Sequence, residues 1–162
     1  MKIGVISDTH IPERTLDIPE ELRVALKDVG MIIHAGDLVT LDVLESLKKI
    51  GPPVKAVFGN MDNGEVRRVL KNKEIITIGK FKIGVIHGRG APKNVPTLAQ
   101  EAFNEKLDVI IFGHTHQAMC ERHKDVLLMN PGSPTDTIFA PYRSYGILEI
   151  NDTIEGKIVR LP

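Results

Sequence analysis

Four of the six histidines in this chain, two aspartates and one asparagine fall just beyond short apolar runs. Ile3-Gly4-Val5-Ile6 leads to Asp8 and His10, Met31-Ile32-Ile33 leads through His34 to Asp37, and the run from Val54 to Phe58 leads to Asn60. Ile83-Gly84-Val85-Ile86 leads to His87, and Val109-Ile110-Ile111-Phe112 leads to His114 and His116. Carboxylate, imidazole and carboxamide groups without thiolate suit manganese, iron, nickel or zinc. Calcium fits less well, because it prefers an all-oxygen shell. Seven such groups meeting at one point suffice for two cations that share a ligand, and paired cations favour phosphoryl chemistry. Taken singly, each residue has a plainer explanation: Gly-Asp and Gly-Asn are common turn pairs, and a histidine after an apolar run is most often a satisfied core residue. Taken together, polar side chains crowded at buried strand ends face a desolvation cost that a shared metal removes.

The spacing adds detail. Asp8 and His10, like His114 and His116, are two residues apart, so each pair lies on one side of an extended segment. Glycines precede Asp37, Asn60 and His114, where they let the backbone turn sharply and clear space beside cations. His34, inside an apolar run, reads as a core histidine or one that orients a ligand. His123, among Glu121, Arg122, Lys124 and Asp125, reads as part of a solvated turn.

The apolar runs read as buried strands, and open α/β sheets bind their ligands just past the carboxyl ends of such strands. Strands are predicted at 2–6, 31–34, 54–58, 74–78, 81–86 and 108–112. Helices are predicted near 19–29, 41–49, 64–70 and 95–106, with Pro19 and Gly30 bracketing the first and Thr40 able to cap the second. Gly79-Lys80 predicts a hairpin turn. After Gln117, short strands near 117–122, 126–129, 144–150 and 154–161 predict antiparallel strands completing a second sheet. Lys2-Ile3-Gly4-Val5-Ile6 recurs as Lys82-Ile83-Gly84-Val85-Ile86, which reads either as coincidence among common strand residues or as two equivalent central strands approached closely at Gly4 and Gly84.

At 162 residues the chain suits one domain, able to bury roughly two-thirds of its unfolded surface. Its 21 basic and 21 acidic residues cancel, which disfavours nucleic acid and acidic membranes as partners. The single cysteine, Cys120, excludes an internal disulfide and a thiolate zinc cluster. The short apolar run before Ser7 is no signal peptide, and no run approaches a membrane span, so the expected location is the cytoplasm.

In this order, Asp8-x-His10, Gly36-Asp37, Gly59-Asn60, His87-Gly88 and Gly113-His114-x-His116 resemble the motifs of the calcineurin-like metallophosphoesterase superfamily. The short length and lack of insertions resemble its small single-domain, YfcE-type phosphodiesterase branch, and the likeness runs from Asp8 to Asn130-Pro131-Gly132-Ser133. The resemblance implies one α/β domain over 1–162, with two mixed sheets packed face to face and flanked by helices. It implies that Asp8, His10 and His116 hold one divalent metal, that Asn60, His87 and His114 hold a second, and that Asp37 bridges them. Manganese is the first expectation, with nickel, zinc or iron as alternatives. It further implies that a metal-bridging hydroxide, held by Asp37 with Asn60 and His114, attacks a small phosphodiester in line with the leaving alkoxide. A homodimer is compatible with the sequence.

Two departures from the family pattern bear on chemistry. Larger members place a histidine after Gly-Asn; here Met61 follows, then Asp62, which favours diesters and leaves Asp62 as either a general acid or a surface turn residue. The fourth motif reads His87-Gly88-Arg89 rather than His-Gly-His, so Arg89 is expected either to grip a phosphate oxygen or to stand solvated at a loop mouth. A competing reading is a non-catalytic metal-binding scaffold, as in the small subunit of the eukaryotic retromer coat, which shares this fold and works through protein partners. A dinucleotide-binding domain is disfavoured, because Ser7-Asp8-Thr9-His10 offers no glycine-rich phosphate loop.

Overall fold

The computed structural model describes residues 1–162. Ten strands form two five-stranded sheets. The first sheet contains β1 (Lys2–Ile6), β2 (Met31–His34), β3 (Val54–Ala56), β9 (Ser144–Ile150) and β10 (Ile154–Arg160), in the order β10-β9-β1-β2-β3. The second contains β4 (Lys73–Ile78), β5 (Phe81–Ile86), β6 (Val109–Ile111), β7 (Met119–His123) and β8 (Val126–Asn130), in the order β4-β5-β6-β8-β7. Four short helices complete the fold: α1 (Glu20–Leu26), α2 (Leu41–Lys48), α3 (Gly64–Val69) and α4 (Val95–Glu101).

Alternation along the strands builds the layers. Ile3 and Val5 of β1, with Ile33 of β2, face Ile83, Val85, Val109 and Ile111 of the other sheet in one apolar layer. Their neighbours Ile6 and Ile32 face the opposite way, against Leu22, Leu26 and Leu47 of α1 and α2. Ile110 and Phe112 meet Val95 and Ala99 of α4 on the outer face of the second sheet. The result is helix, sheet, sheet, helix. Burying one such side chain is worth about 1.5–3 kcal/mol, so these layers can hold strained loops at their edge. No helix is long and apolar enough to cross a membrane.

The repeated pentapeptide marks strands that are alike in setting but not in rank. Both β1 and β5 pair in parallel with the next strand, with Gly4 opposite Ile32 and Gly84 opposite Ile110. A Cβ at Gly4 would strike Leu26 of α1, and one at Gly84 would come within 2.5 Å of Leu107. The close approach is therefore by covering side chains, and β5 is next to an edge while β1 is central.

The last third of the chain differs from the sequence expectation. Its strands do not all complete the second sheet: β7 and β8 do, but β9 and β10 extend the first, with β9 antiparallel to β1. In addition, β8 runs parallel to β6. A short apolar strand carries no mark of which sheet edge it joins; β9 is buried along nearly its whole length, which suits a place between β1 and β10. Smaller differences occur at helix ends. The first helix stops at Leu26 and the fourth at Glu101, Thr40 makes no side-chain cap, and Asn63 caps α3 by accepting from the Glu65 and Val66 N–H groups. The Gly79-Lys80 turn joins β4 and β5, which pair antiparallel from Ile78 opposite Phe81.

Candidate metal centre

The carboxyl ends of β1, β2 and β3 in one sheet and of β5 and β6 in the other open at a common edge of the sandwich. There the seven candidate ligands form a continuous chain of contacts. His10 Nε2 is 3.2 Å from His116 Nε2, which is 3.3 Å from Asp8 Oδ1. Asp8 Oδ1 is 3.8 Å from His87 Nε2, and that nitrogen is 3.2 Å from Asp37 Oδ2 and 3.1 Å from Asn60 Oδ1. Asn60 Oδ1 is 2.9 Å from His114 Nδ1. Asp8, His10 and His116 form one compact group able to hold a cation, and Asp8, Asp37 and His87 form another. Asp8 belongs to both groups, and Asp37 Oδ2 also lies 3.5 Å from His10 Nε2 of the first.

Five of these seven residues adopt left-handed backbone: Asp8, His10, Asp37, His114 and His116 all have φ between 44° and 72°. Such conformations cost on the order of 1–3 kcal/mol each and persist only where the surroundings impose them. The surroundings here are specific. Ser133 Oγ donates to the Asp8 carbonyl at 2.7 Å, and Thr135 Oγ1 donates to the Thr9 carbonyl at 2.7 Å. Asn130 Nδ2 donates to the Gly113 carbonyl at 2.9 Å, fixing the start of the His114–His116 turn. Gly36 takes φ +96°, and a Cβ at Gly59 would come within 2.7 Å of the His87 ring. These glycines thus make room for the ligand side chains themselves, more than for the cations.

Three of the four ligand imidazoles are aimed by their second nitrogen. His87 Nδ1 donates to the Ala35 carbonyl at 2.8 Å, His114 Nε2 donates to the Gly90 carbonyl at 3.1 Å, and His116 Nδ1 donates to the buried Asp136 carboxylate. The lone pair of each ring is therefore turned inward, where it meets other lone pairs: Nε2 of His87 faces two acceptor oxygens, and Nδ1 of His114 faces the Asn60 oxygen. An interior of acceptors facing acceptors is stable only with positive charge between them, supplied by protons or by cations. The donor set therefore fits divalent metals.

Proton affinities carry the same message. Burial opposes charge on His87, but Asp8 and Asp37 outweigh it and push its pKa up to about 9. Burial likewise opposes charge on His116, and Asp8 and Asp136 raise it to about 8. Burial would raise Asp8 and Asp37, yet the adjacent imidazoles hold both below the usual carboxylate range. Because the folded, metal-free protein binds protons at His87 and His116 more tightly than an unfolded chain does, their contribution is full below about pH 6.5. It is lost as pH rises through about 8 to 9. Metal-stripped protein should therefore lose melting temperature between pH 7 and 9.5, and saturating metal should remove that loss by replacing the protons. A stripped protein that grows more stable over this range would contradict the arrangement.

The remaining sequence candidates are placed as follows. Asp62 is no surface turn residue: it is 5% exposed. Its Oδ1 accepts from Val39 N–H at 2.6 Å, and its Oδ2 accepts from Asp37 N–H at 3.0 Å and Gly59 N–H at 2.6 Å. Both oxygens are committed to tying the Asp37 loop to the Asn60 loop, so the general-acid expectation has no free atom behind it. His34 is fully buried and accepts from Gly36 N–H at Nδ1 while bonding Thr9 Oγ1, and burial lowers it to about 3, so it braces two ligand loops as a neutral ring. His123 is exposed on β7. Arg89 is exposed and lines a cleft of about 670 Å³ together with Asn60 and His87.

Asp136 was missed by the motif reading. It is fully buried, holds His116, and accepts from the Ile138 and Phe139 N–H groups. The available signal was Ser133 three residues before it, because the Ser133 hydroxyl accepts from Asp136 N–H at 3.0 Å as in a helix-capping turn. Asp136→Ala should weaken metal binding by about 10–100-fold, as loss of a carboxylate behind a ligating histidine usually does. Chelator competition would measure it, with Asp136→Asn intermediate because the amide oxygen still accepts.

The chain matches the calcineurin-like phosphoesterase superfamily domain over residues 1–153. It belongs to the calcineurin-like phosphoesterase superfamily. A relative from Methanothermobacter thermautotrophicus named "Probable metallophosphoesterase" is 43% identical over 136 residues, spanning 83% of this chain and 78% of the relative. Another of that description, from Methanocaldococcus jannaschii, is 40% identical and spans 98% of this chain and 81% of its own length. Among solved structures, a Thermotoga maritima protein is 33% identical with TM-score 0.77, covering 99% of both chains. A structure described as that of a novel archaeal phosphodiesterase is 28% identical with TM-score 0.76, covering 99% of this chain and all of that one. Vps29 of Entamoeba histolytica, solved with zinc, is 26% identical with TM-score 0.76, covering 99% of both chains. As a calcineurin-like phosphoesterase, the chain carries the expected two-sheet fold, and its buried Asp and His groups could hold a divalent metal.

Proposed function

We propose that this protein is a two-metal phosphodiesterase acting on a small diester. The observation that carries this reading is the ring of inward-turned lone pairs, with Asp37 Oδ2 reaching toward both His10 and His87. Asp8, His10 and His116 would hold one cation and Asn60, His87 and His114 the other, with Asp37 shared. Manganese, nickel, zinc or iron suit these groups. When bound, such a pair supplies Lewis acidity toward the phosphoryl oxygens and a water acidified to near neutral pH. The chain's own contribution is orientation. Ala35 and Gly90 carbonyls and the Asp136 carboxylate fix three imidazoles before any substrate arrives. Met61 cannot donate a proton and Asp62 is fully engaged, so the residues after Asn60 supply no general acid.

Arg89 has no hydrogen bond or ion pair within the molecule, and its fork can grip a non-bridging phosphate oxygen. Arg89→Ala should lower kcat/KM for a diester about tenfold, the worth of one charge-assisted hydrogen bond. Unchanged kcat/KM would remove that role. The test of the whole reading is add-back of manganese, nickel or zinc to stripped protein, followed by diester and monoester assays. Turnover restored on diesters is the expected result. The likeness to Vps29 favours a second reading, a metal-bound scaffold acting through protein partners. Full metal occupancy with no hydrolysis of any diester would select it.

A further inference from the structure

We propose that the cleft beside Asn60 and His87 seats a nucleoside, so that the diester is a small nucleoside phosphodiester; this rests on the phosphodiesterase reading above. The cleft lies between the Asn60 turn and α4, and its volume of about 670 Å³ is within the range of small-molecule sites. Its most unusual feature is Arg67. The guanidinium donates to the Gly59, Asn60 and Asp62 carbonyls at 2.8–3.0 Å and lies over the Phe58 ring, 5.1 Å from its centroid. Four restraints hold this planar cation still on an exposed residue. One face rests on Phe58; the other is a rigid, charged, flat platform of the kind on which nucleobases stack.

The rest of the cleft suits the same ligand. Asn72 and Glu101 both line it, both are exposed, and neither side chain has a partner within the protein. An Asn amide offers a donor and an acceptor to a base edge, and a Glu carboxylate accepts from a ribose hydroxyl. Leu98 and Ile86 supply an apolar wall. Lys73 also lines the cleft but is tied to the Ala102 carbonyl at 2.6 Å, so Arg89 is the cation left for phosphate. A glycerol or choline group would leave the platform and the amide unused. Hydrolysis adds one water: a new P–O bond forms, the ester P–O bond breaks, the departing alkoxide takes a proton, and a phosphomonoester and an alcohol remain.

The experiment has two arms. In the first, adenosine monophosphate and glycerol phosphate are titrated into zinc-loaded protein and followed by backbone amide NMR. The monophosphate should shift Arg67, Asn72 and Glu101 signals, and glycerol phosphate should not; equal or absent shifts would overturn the seat. In the second, Ala102→Trp fills the cleft from the residue just past the end of α4. It should lower kcat/KM for 2′,3′-cyclic adenosine monophosphate and for an adenosine dinucleotide by about tenfold or more, the worth of one stacked base, and should lower glycerophosphocholine hydrolysis clearly less, because that diester has no base to stack. Loss on only one of the two nucleotides identifies which diester the seat serves, and loss on neither overturns it. No hydrolysis of any diester by loaded wild-type protein, with the monophosphate still shifting the cleft signals, overturns the phosphodiesterase reading and leaves the seat standing.

Discussion

Asp37→Ala should lower phosphodiester turnover by about 10³-fold or more and leave the purified protein with fewer than two bound metals. A metal pair supplies several kilocalories of transition-state charge stabilisation, and about 4 kcal/mol corresponds to about 10³-fold in rate. In the proposed two-metal reading, Asp37 is the ligand that both cations would share. Its Oδ2 reaches 3.5 Å from His10 and 3.2 Å from His87, and its Oδ1 is occupied by the Met61 N–H at 2.7 Å. Alanine removes the shared oxygen and frees the Met61 amide, so the Asn60 turn loosens as the bridging charge disappears. Asp37→Asn separates the two effects: its amide oxygen can keep the Met61 bond, but the negative charge between the cations is gone. Elemental analysis with kcat/KM reads both. An alanine variant that keeps two metals and wild-type turnover would end the bridging role. Asp8→Ala should be comparably severe, because Asp8 Oδ1 also lies within 3.8 Å of His10, His87 and His116.

The candidate ligands were legible because chemistry had to be written where strands end. A parallel strand must finish at the sheet edge, and an Asp or His one to four residues later has few other reasons to be buried there, as Asp8, His10, Asp37, His87 and His116 are, while Asn60 stays exposed at the cleft. The layers were legible for a related reason: Ile3 and Val5 alternate with Gly4 and Ile6, and that period sets opposite faces. What the sequence left unread depends on distance along the chain. Whether β9 joins the first sheet or the second is decided by which partner strand remains unpaired, and its own apolar pattern is the same for either. Asp136 escaped because it serves His116 from twenty residues away, across a turn whose residues read as surface. The left-handed backbone at Asp8, His10, Asp37, His114 and His116 was hidden because non-glycine residues there are held by remote hydroxyls such as Ser133 and Thr135, which no local pattern announces.

Asp62→Ala tests that last point, because Asp62 does for the Asp37 and Asn60 loops what Ser133 does for Asp8. Three N–H groups, of Asp37, Val39 and Gly59, end on its two oxygens. Its pKa is raised by burial, with the amides pulling the other way. Alanine would leave the Asp37 and Gly59 amides buried and unmatched, and each such group costs about 1–3 kcal/mol. A loss of about 3 kcal/mol or more is expected, a large share of the roughly 5–15 kcal/mol that holds a domain folded. It should appear as a lower denaturation midpoint with unchanged m-value. Metal binding should fall with it, since Val39 at φ 85° and Asp37 at φ 59° rely on that carboxylate to stay strained. Asp62→Asn discriminates a clamp from a proton donor. The amide keeps one acceptor, so stability should recover in part, whereas a residue acting as general acid would lose catalysis with metal content and stability intact. If Asp62→Asn and Asp62→Ala both fold and load metal as wild type does while turnover collapses, the clamp is wrong and Asp62 belongs to the chemistry.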